Sequence, residues 1–468
     1  MAEHPDVAAI VLAAGDGKRL RSDLPKVLHR VAGRPLLGHV LDALTPLGLG
    51  QVVIVASTRK DEIAAAMSGA DAEYVVQDPP RGTGDAVRVA LAVLSDSIRH
   101  VIVLAGDTPL ISTGTIASML ARHAETSSAA TMLTARIDDP TGYGRVVRGA
   151  DGRIERVVEQ RDATPDELVI DEINTGAFVF ELGGLAKVLP KLGSDNSQQE
   201  YYLTDSISLL LGEGDSVSSF ETTSREADGV NSRAQLAQAG AELRRQACER
   251  WMDEGVTIVD PNSTFIDATV TIERDAVIQP FTFLEGNTTV GQGAEVGPQA
   301  RIIDSSIAAG ATVTFAVVRG STIGEGASVG PFASLRPGTV LERGARAGTF
   351  VETKQTTIGE DSKANHLSYL GDATIGKGVN VGAGTITCNW DGTEKHETVI
   401  DDDAYIGSDT MLVAPTHIGK RAATGAGSVV RGDVPDDALA VGVPARIIEG
   451  KGNKMGKDRG TPSQDPRG

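Results

Sequence analysis

The first 230 residues are punctuated by short apolar runs. Residues 7–12 (VAAIVL), 52–56 (VVIVA) and 101–104 (VIVL) lack the alternation of a half-exposed strand. Unbroken apolar runs of this length mark strands buried on both faces of a parallel sheet. Between them, residues 36–44 and 86–94 carry apolar side chains at helical spacing. Strands alternating with helices predict an α/β doubly wound, Rossmann-like domain over residues 1–230, with ligands at the carboxyl ends of its strands. Residues 231–254 turn to Ala, Gln, Glu and Arg and read as a connecting helix.

After Gly255 the period changes. Ile266, Ile272, Ile278, Leu284, Val290, Val296 and Ile302 are aliphatic at every sixth position. The period returns at Ile323, Val329 and Leu335, and again at Ile400, Ile406, Leu412 and Ile418, continuing through Thr424 to Val430. A six-residue period fits neither a helix nor a flat strand. It predicts a left-handed parallel β-helix of hexapeptide repeats over residues 255–450, with three hexads to a coil and the aliphatic residue inside. Glycine supports this, rising from 23 in residues 1–254 to 27 in the shorter stretch 255–450, as a chain that turns often requires. Between Thr387 and Ile400 the register slips by one residue, and the polar segment NWDGTEKHET projects as a loop, either a bland insertion or a substrate or partner contact. Residues 451–468 are rich in Gly, Pro and Lys and read as a disordered tail.

Composition narrows the function. With 44 basic and 63 acidic residues the net charge is −19, and the pI of about 4.9 argues against a nucleic-acid partner. Two cysteines, Cys248 and Cys388, make no disulfide framework and suit a reducing cytoplasm. No apolar run is long enough for a membrane span.

The first strand runs directly into LAAGDGKRL, residues 12–20. Glycines after a parallel strand let backbone amides approach an anion closely. A Walker A loop is excluded because Arg19 follows Lys18, and a Rossmann fingerprint because Leu20 stands where the third glycine belongs. Spacing alone leaves a phosphate loop of unassigned class. A second apolar strand ends in VLAGDTPL, residues 103–110, which puts the Asp107 carboxylate where a hard cation such as Mg²⁺ can be held.

These segments occur in a telling order. LAAGDGKRL, LPKVLH, QDPPRGTGDAV, GDTPL, TGYGR, VVEQRDAT, EINTG and GVNSR are followed by LRPGT, FVET, KANHLSYLGD, NVGAGTITCNWDG and IGSDTMLVAP. The combination, from about Val7 to Pro444, resembles the bacterial bifunctional UDP-N-acetylglucosamine pyrophosphorylases. The resemblance implies two activities: acetyl-CoA-dependent N-acetylation of glucosamine 1-phosphate, then Mg²⁺-dependent uridylyl transfer from UTP to N-acetylglucosamine 1-phosphate. Such an enzyme supplies peptidoglycan and cell-envelope precursors.

Residue by residue, it implies Arg19 and Lys26 on the triphosphate, with Asp107 and Asn231 as Mg²⁺ ligands. Leu12, Ala13, Ala14, Gly15, Lys26, Gln77, Gly82 and Thr83 would contact the nucleotide, and Gly144, Glu159, Asn174 and Asn231 the amino sugar. In the β-helix it implies His366 as general base, one of eight histidines. The chemistry asks for one, because an ammonium must lose a proton before it can attack a thioester. Arg336, Lys354, Tyr369 and Asn380 would hold the sugar phosphate, and Ala383, Asn389, Trp390, Ser408 and Ala426 the acetyl-CoA. A homotrimer sharing its acetyl sites between subunits is implied as well. The sequence departs from the family at Lys18, where threonine is usual, and at Gly442, where an arginine is usual; Arg446 lies nearby. Two other readings remain at this point: a single-activity nucleotidyltransferase whose β-helix is a scaffold, and a noncatalytic assembly protein.

Overall fold

The structure, a computed structural model, describes residues 3–452 apart from Asp16 and the side chain of Lys18. The departure at Lys18 and the tail beyond residue 452 lie outside the described residues. The chain forms two compact units, Met1–Leu243 and Arg244–Gly468.

The first unit is built on a nine-stranded sheet. Its main path runs Val217–Thr222, Ala130–Arg136, Glu172–Glu181, His100–Ala105, His4–Ala13, Leu49–Ala56, Glu73–Val76. The three strands expected from the apolar runs lie side by side and parallel, while Glu172–Glu181 runs antiparallel to both neighbours. Burial on both faces explains the continuous apolar runs: Ala8, Ile10, Val53, Val55, Val101 and Val103 face one core and Ala9, Val11, Ile54, Ile102 and Leu104 the other.

Two helix expectations need adjustment. The helix at Leu36–Leu44 is as expected. The one expected at 86–94 runs Thr83–Leu91, because Gly82 at φ +105° turns the chain into a helix start three residues earlier. The stretch 231–254 is helical over Arg233–Asp253. Its start is capped by Ser232, whose hydroxyl accepts from the Gln235 amide at 3.2 Å, and it gives way to Gly255 at φ +91°.

The second unit is a parallel β-helix. Most of the short strands pair with the one three further on, so three strands make a coil. The predicted aliphatic hexad residues, from Ile266 to Val430, all lie in one continuous hydrophobic core, and Thr424 in the same series is fully buried. Cys248 and Trp251, from the helical turns that open this unit, belong to the same core. Both cysteines are free. Among the described residues, no helix is long and apolar enough to cross a membrane.

Candidate active sites

In the sheet, Leu12 is paired with Ala105, so the Gly-rich loop and the Gly106–Asp107 strand end emerge side by side. Gly106 lets them touch: its amide donates to the Leu12 carbonyl at 2.9 Å, and a Cβ there would lie 3.1 Å from that oxygen. Gly17, at φ +60°, passes so close to Lys26 that a Cβ would come within 2.7 Å of the lysine Cβ. Lys26 forms an ion pair with Asp107. The same ammonium donates to Asn231 Oδ1 at 2.6 Å. Asn231 is brought in by the backbone, since the Val230 amide donates to the Asp107 carbonyl at 2.9 Å. Its own side-chain NH₂ faces the Gly229 carbonyl at 3.4 Å, which turns the oxygen toward the lysine. One carboxylate and one amide oxygen therefore already share a cation. That hard-oxygen pair fits Mg²⁺.

Above this cluster lies a cavity of about 270 Å³ lined by Leu12, Ala14, Gly15, Lys26, Gln77, Gly82, Thr83 and Asp107 among others. Of the expected nucleotide contacts only Ala13 is absent from the wall, being 4% exposed within its strand. A second cavity of about 200 Å³ holds Gly144, Glu159 and Asn174 and shares Leu12 and Thr83 with the first. Gly144 pairs with Asn174 across the sheet, and a Cβ on it would press within 3.1 Å of Val157. Burial, with Asp205, Asp162 and Glu200 nearby, pushes the Glu159 carboxyl above its ordinary range, opposed by the Thr204 hydroxyl that donates to it at 3.0 Å. Asn231 stands with Lys26 rather than in this second cavity, and Arg19 is exposed.

Sequence reasoning missed three residues here. Thr204 lines the second cavity with Tyr143, whose hydroxyl is reached by the Gly229 amide and by the charges of Asp228, Asp107 and Arg19. Asp85 is buried against Gln77. Tyr143 sits inside the quoted TGYGR segment and Asp85 inside GTGDAV, so their positions carried a signal that their side-chain chemistry alone did not.

The β-helix arranges its candidates in columns. Stacking of Thr349 on His366, and of successive coils beyond, places His366, Ala383, Ser408 and Ala426 one above another along one corner. Glycine permits the close stacking: a Cβ on Gly382 would meet the Ser408 nitrogen at 2.6 Å, and one on Gly407 the Ala426 nitrogen at 2.8 Å. His366 is exposed at that corner.

Arg336, Lys354 and Tyr369 share a neighbouring face. Arg336 donates to Glu352 at 3.1 Å, and Lys354 lies 3.9 Å from Asp372. Asn389, 7% exposed, donates to Asp372 and approaches the Tyr369 hydroxyl at 3.5 Å. Asn380 lies on a different side of the coil, between Lys363 and Tyr405, and one chain does not bring it to this group. The projecting loop folds back through a bridge between Trp390 and Lys395. It delivers a cation that the sequence reading did not name. The Lys395 ammonium stands beside Lys354 and lowers its pKa, as does burial; Arg336 adds to this and Asp372 opposes it. Three cations gathered here, two of them paired with Glu352 and Asp372, suit a phosphate.

Fold and sites define a nucleotidyltransferase joined in one chain to a hexapeptide-repeat β-helix. The model of the MobA-like NTP transferase domain matches residues 9–164. Curated relatives span both units. The bifunctional protein GlmU of Carboxydothermus hydrogenoformans is 47% identical over 433 residues, covering 92% of this chain and 96% of its own. That of Exiguobacterium sibiricum is 47% identical over 434 residues, covering 92% and 96%. That of Mycobacterium marinum is 46% identical over 470 residues, covering 98% and 95%. The solved inositol-1-phosphate CTP transferase from T. maritima aligns at 20% identity and a TM-score of 0.39, covering 49% of this chain and 90% of its own. The chain belongs to the family of bifunctional GlmU proteins.

Proposed function

We infer that the protein catalyses two consecutive steps of UDP-N-acetylglucosamine synthesis, on the way to peptidoglycan and other cell-envelope polysaccharides. Acetyl passes from acetyl-CoA to the amine of glucosamine 1-phosphate, and uridylyl then passes from UTP to N-acetylglucosamine 1-phosphate. The observation that carries the second step is the junction of the two cavities at Leu12 and Thr83, beside the Lys26, Asp107 and Asn231 cluster.

In uridylyl transfer the sugar-phosphate oxygen bonds to the α-phosphorus while the bond to the departing pyrophosphate breaks, so catalysis is positioning and charge neutralisation. Gly144, Glu159, Asn174 and Thr204 hold the sugar, and the loop amides with Lys26 and Arg19 hold the triphosphate. Asp107 and Asn231 would hold Mg²⁺, which when bound supplies further neutralisation of phosphate charge.

In acetyl transfer His366 takes a proton from the sugar ammonium. The free amine forms a C–N bond to the acetyl carbon, the C–S bond breaks, and CoA leaves as its thiol. Arg336, Lys354 and Tyr369 hold the sugar phosphate, and the Ala383–Ser408–Ala426 column with Asn389 and Trp390 receives CoA.

The activities divide between residues 1–230 and 255–450, with 231–254 between them, and the enzyme works in the cytoplasm as a homotrimer. Two features support the trimer. Asn380 lies apart from the phosphate-binding face within one chain. Beside His366 runs an apolar ladder in which Phe315, Phe332 and Phe350 follow one another with ring centroids 5.6 Å apart, and Leu367 continues it, 61% exposed. A second copy covering that ladder would close the acetyl site.

Two variants separate the halves. His366→Ala should abolish acetylation and leave uridylylation of supplied N-acetylglucosamine 1-phosphate intact; Asp107→Ala should do the reverse. Loss of both activities in either variant contradicts the division.

A further inference from the structure

Gln77 lines the nucleotide cavity, yet its side-chain amide is already committed behind the wall. Nε2 donates to the Gly82 carbonyl at 3.0 Å and to Asp85 Oδ2 at 2.9 Å. Both partners are acceptors. The opposite amide orientation would set the carbonyl oxygen against a carboxylate and a carbonyl, so the donors must point inward.

Neither acceptor is free to move. Gly82, at φ +105°, is pressed so close to Tyr201 that a Cβ would lie 2.7 Å from the Tyr201 carbonyl oxygen. Segment 81–84 is strapped to that residue by two backbone hydrogen bonds of 2.8 Å, Tyr201 N–H to Arg81 O and Gly84 N–H to Tyr201 O. Asp85 is 2% exposed. Burial opposes its charge, but Gln77 and Arg88 hydrogen-bond to the carboxylate and Arg81 and Arg88 add their charge, so it stays ionised below its ordinary range. With both amide hydrogens spent, Gln77 offers the cavity only an acceptor, Oε1.

We propose that Asp85 is a positioning residue that locks the Gln77 amide so that only its carbonyl oxygen meets the base, selecting a pyrimidine with a ring N–H at that edge. Uracil carries a hydrogen on N3; cytosine has a bare lone pair there and in the same pose would set acceptor against acceptor. A buried acceptor left facing an acceptor is a strong discriminator, because neither regains the hydrogen bond it lost to water. This rests on the reading that the cavity around Gln77 receives the base.

The test compares kcat/KM for UTP and CTP, with N-acetylglucosamine 1-phosphate as acceptor, in the full-length protein and in Asp85→Asn, Asp85→Glu and Gln77→Ala. The ratio does not depend on how much of a preparation is folded, so a destabilised variant still reports. The wild type should favour UTP. Asp85→Asn lets the amide turn and should reduce that preference about tenfold, chiefly through a higher KM for UTP. Asp85→Glu keeps the charge and should lie closer to the wild type than Asp85→Asn does. A wild-type ratio in Asp85→Asn, with rates for both nucleotides lowered equally or not at all, overturns the proposal, provided Gln77→Ala loses the preference. If Gln77→Ala also keeps the wild-type KM for UTP and the wild-type ratio, the base does not sit against Gln77, and it is the reading of the cavity that fails.

Discussion

Lys26 donates a 2.6 Å hydrogen bond to Asn231, a residue 205 positions further along the chain. The same ammonium is paired with Asp107. Three residues from three separate segments thus act as one device, each orienting the other two.

Residues that act as a unit lose their effects non-additively. Lys26→Ala and Asn231→Ala should each lower kcat/KM for uridylyl transfer by roughly 10²–10³-fold, the scale of removing one stabilising group from a charged transition state. The double variant should be only slightly worse than either single one. A fully multiplicative loss in a double-mutant cycle would mean the two residues work independently.

Gly371 is a steric requirement of the packing between Tyr369 and Asn389. A Cβ on it would lie 2.5 Å from the Tyr369 hydroxyl and 2.8 Å from the Asn389 amide nitrogen. Gly371→Ala should displace Tyr369 and raise KM for glucosamine 1-phosphate about tenfold or more, leaving uridylylation unchanged. Equal KM values in the variant and the wild type count against Tyr369 as a sugar-phosphate ligand.

Lys354 loses its proton at lower pH than an ordinary lysine, chiefly because of Lys395. As pH rises through that lowered value, Lys354 becomes neutral and phosphate affinity falls, so KM for glucosamine 1-phosphate should climb on the alkaline side. Lys395→Ala removes the neighbouring charge. It should raise KM at neutral pH while moving the alkaline climb to higher pH. An unshifted climb would place Lys395 outside the phosphate site.

A buried histidine, His123, sets an acid limit on stability. His123 bonds Thr131 at 2.9 Å and His100 at 3.2 Å. Burial first, then the charge of His100, lowers its pKa to about 4, against a smaller opposing pull from Glu181. The unfolded chain takes up this proton near pH 6.5 and the folded chain does not, so stability is lost as pH falls from about 6.5 to about 4. Allowing for partial solvation, the loss should be about 2 kcal/mol. Denaturant unfolding of His123→Gln should lack this component; parallel pH curves for the two proteins would refute the assignment.

Much of this was legible in the sequence because it rests on periods. Six-residue spacing from Ile266 onward dictates coils whose aliphatic residues turn inward, and it places every predicted aliphatic hexad residue in the core. The runs at 7–12, 52–56 and 101–104 are unbroken because helices cover both faces of their sheet. Motif order singled out Lys26 and Asp107, which the fold brings together. Less legible were residues that act through a neighbour. Asp85 reads as an ordinary acidic residue in the first turn of a helix until Gln77 is seen against it. Lys395 reads as one charge in a polar loop until the Trp390–Lys395 bridge turns it toward Lys354. Pairings of this kind depend on how turns close, which residue spacing does not encode.

The most direct test of the two-site account is one mass-spectrometric time course. Purified protein receives glucosamine 1-phosphate, acetyl-CoA, UTP and Mg²⁺, and each phosphorylated sugar is followed separately. N-acetylglucosamine 1-phosphate should rise and fall as UDP-N-acetylglucosamine accumulates. If no acetylated sugar forms while supplied N-acetylglucosamine 1-phosphate is still converted, the β-helix is a scaffold and the role given to His366 is wrong.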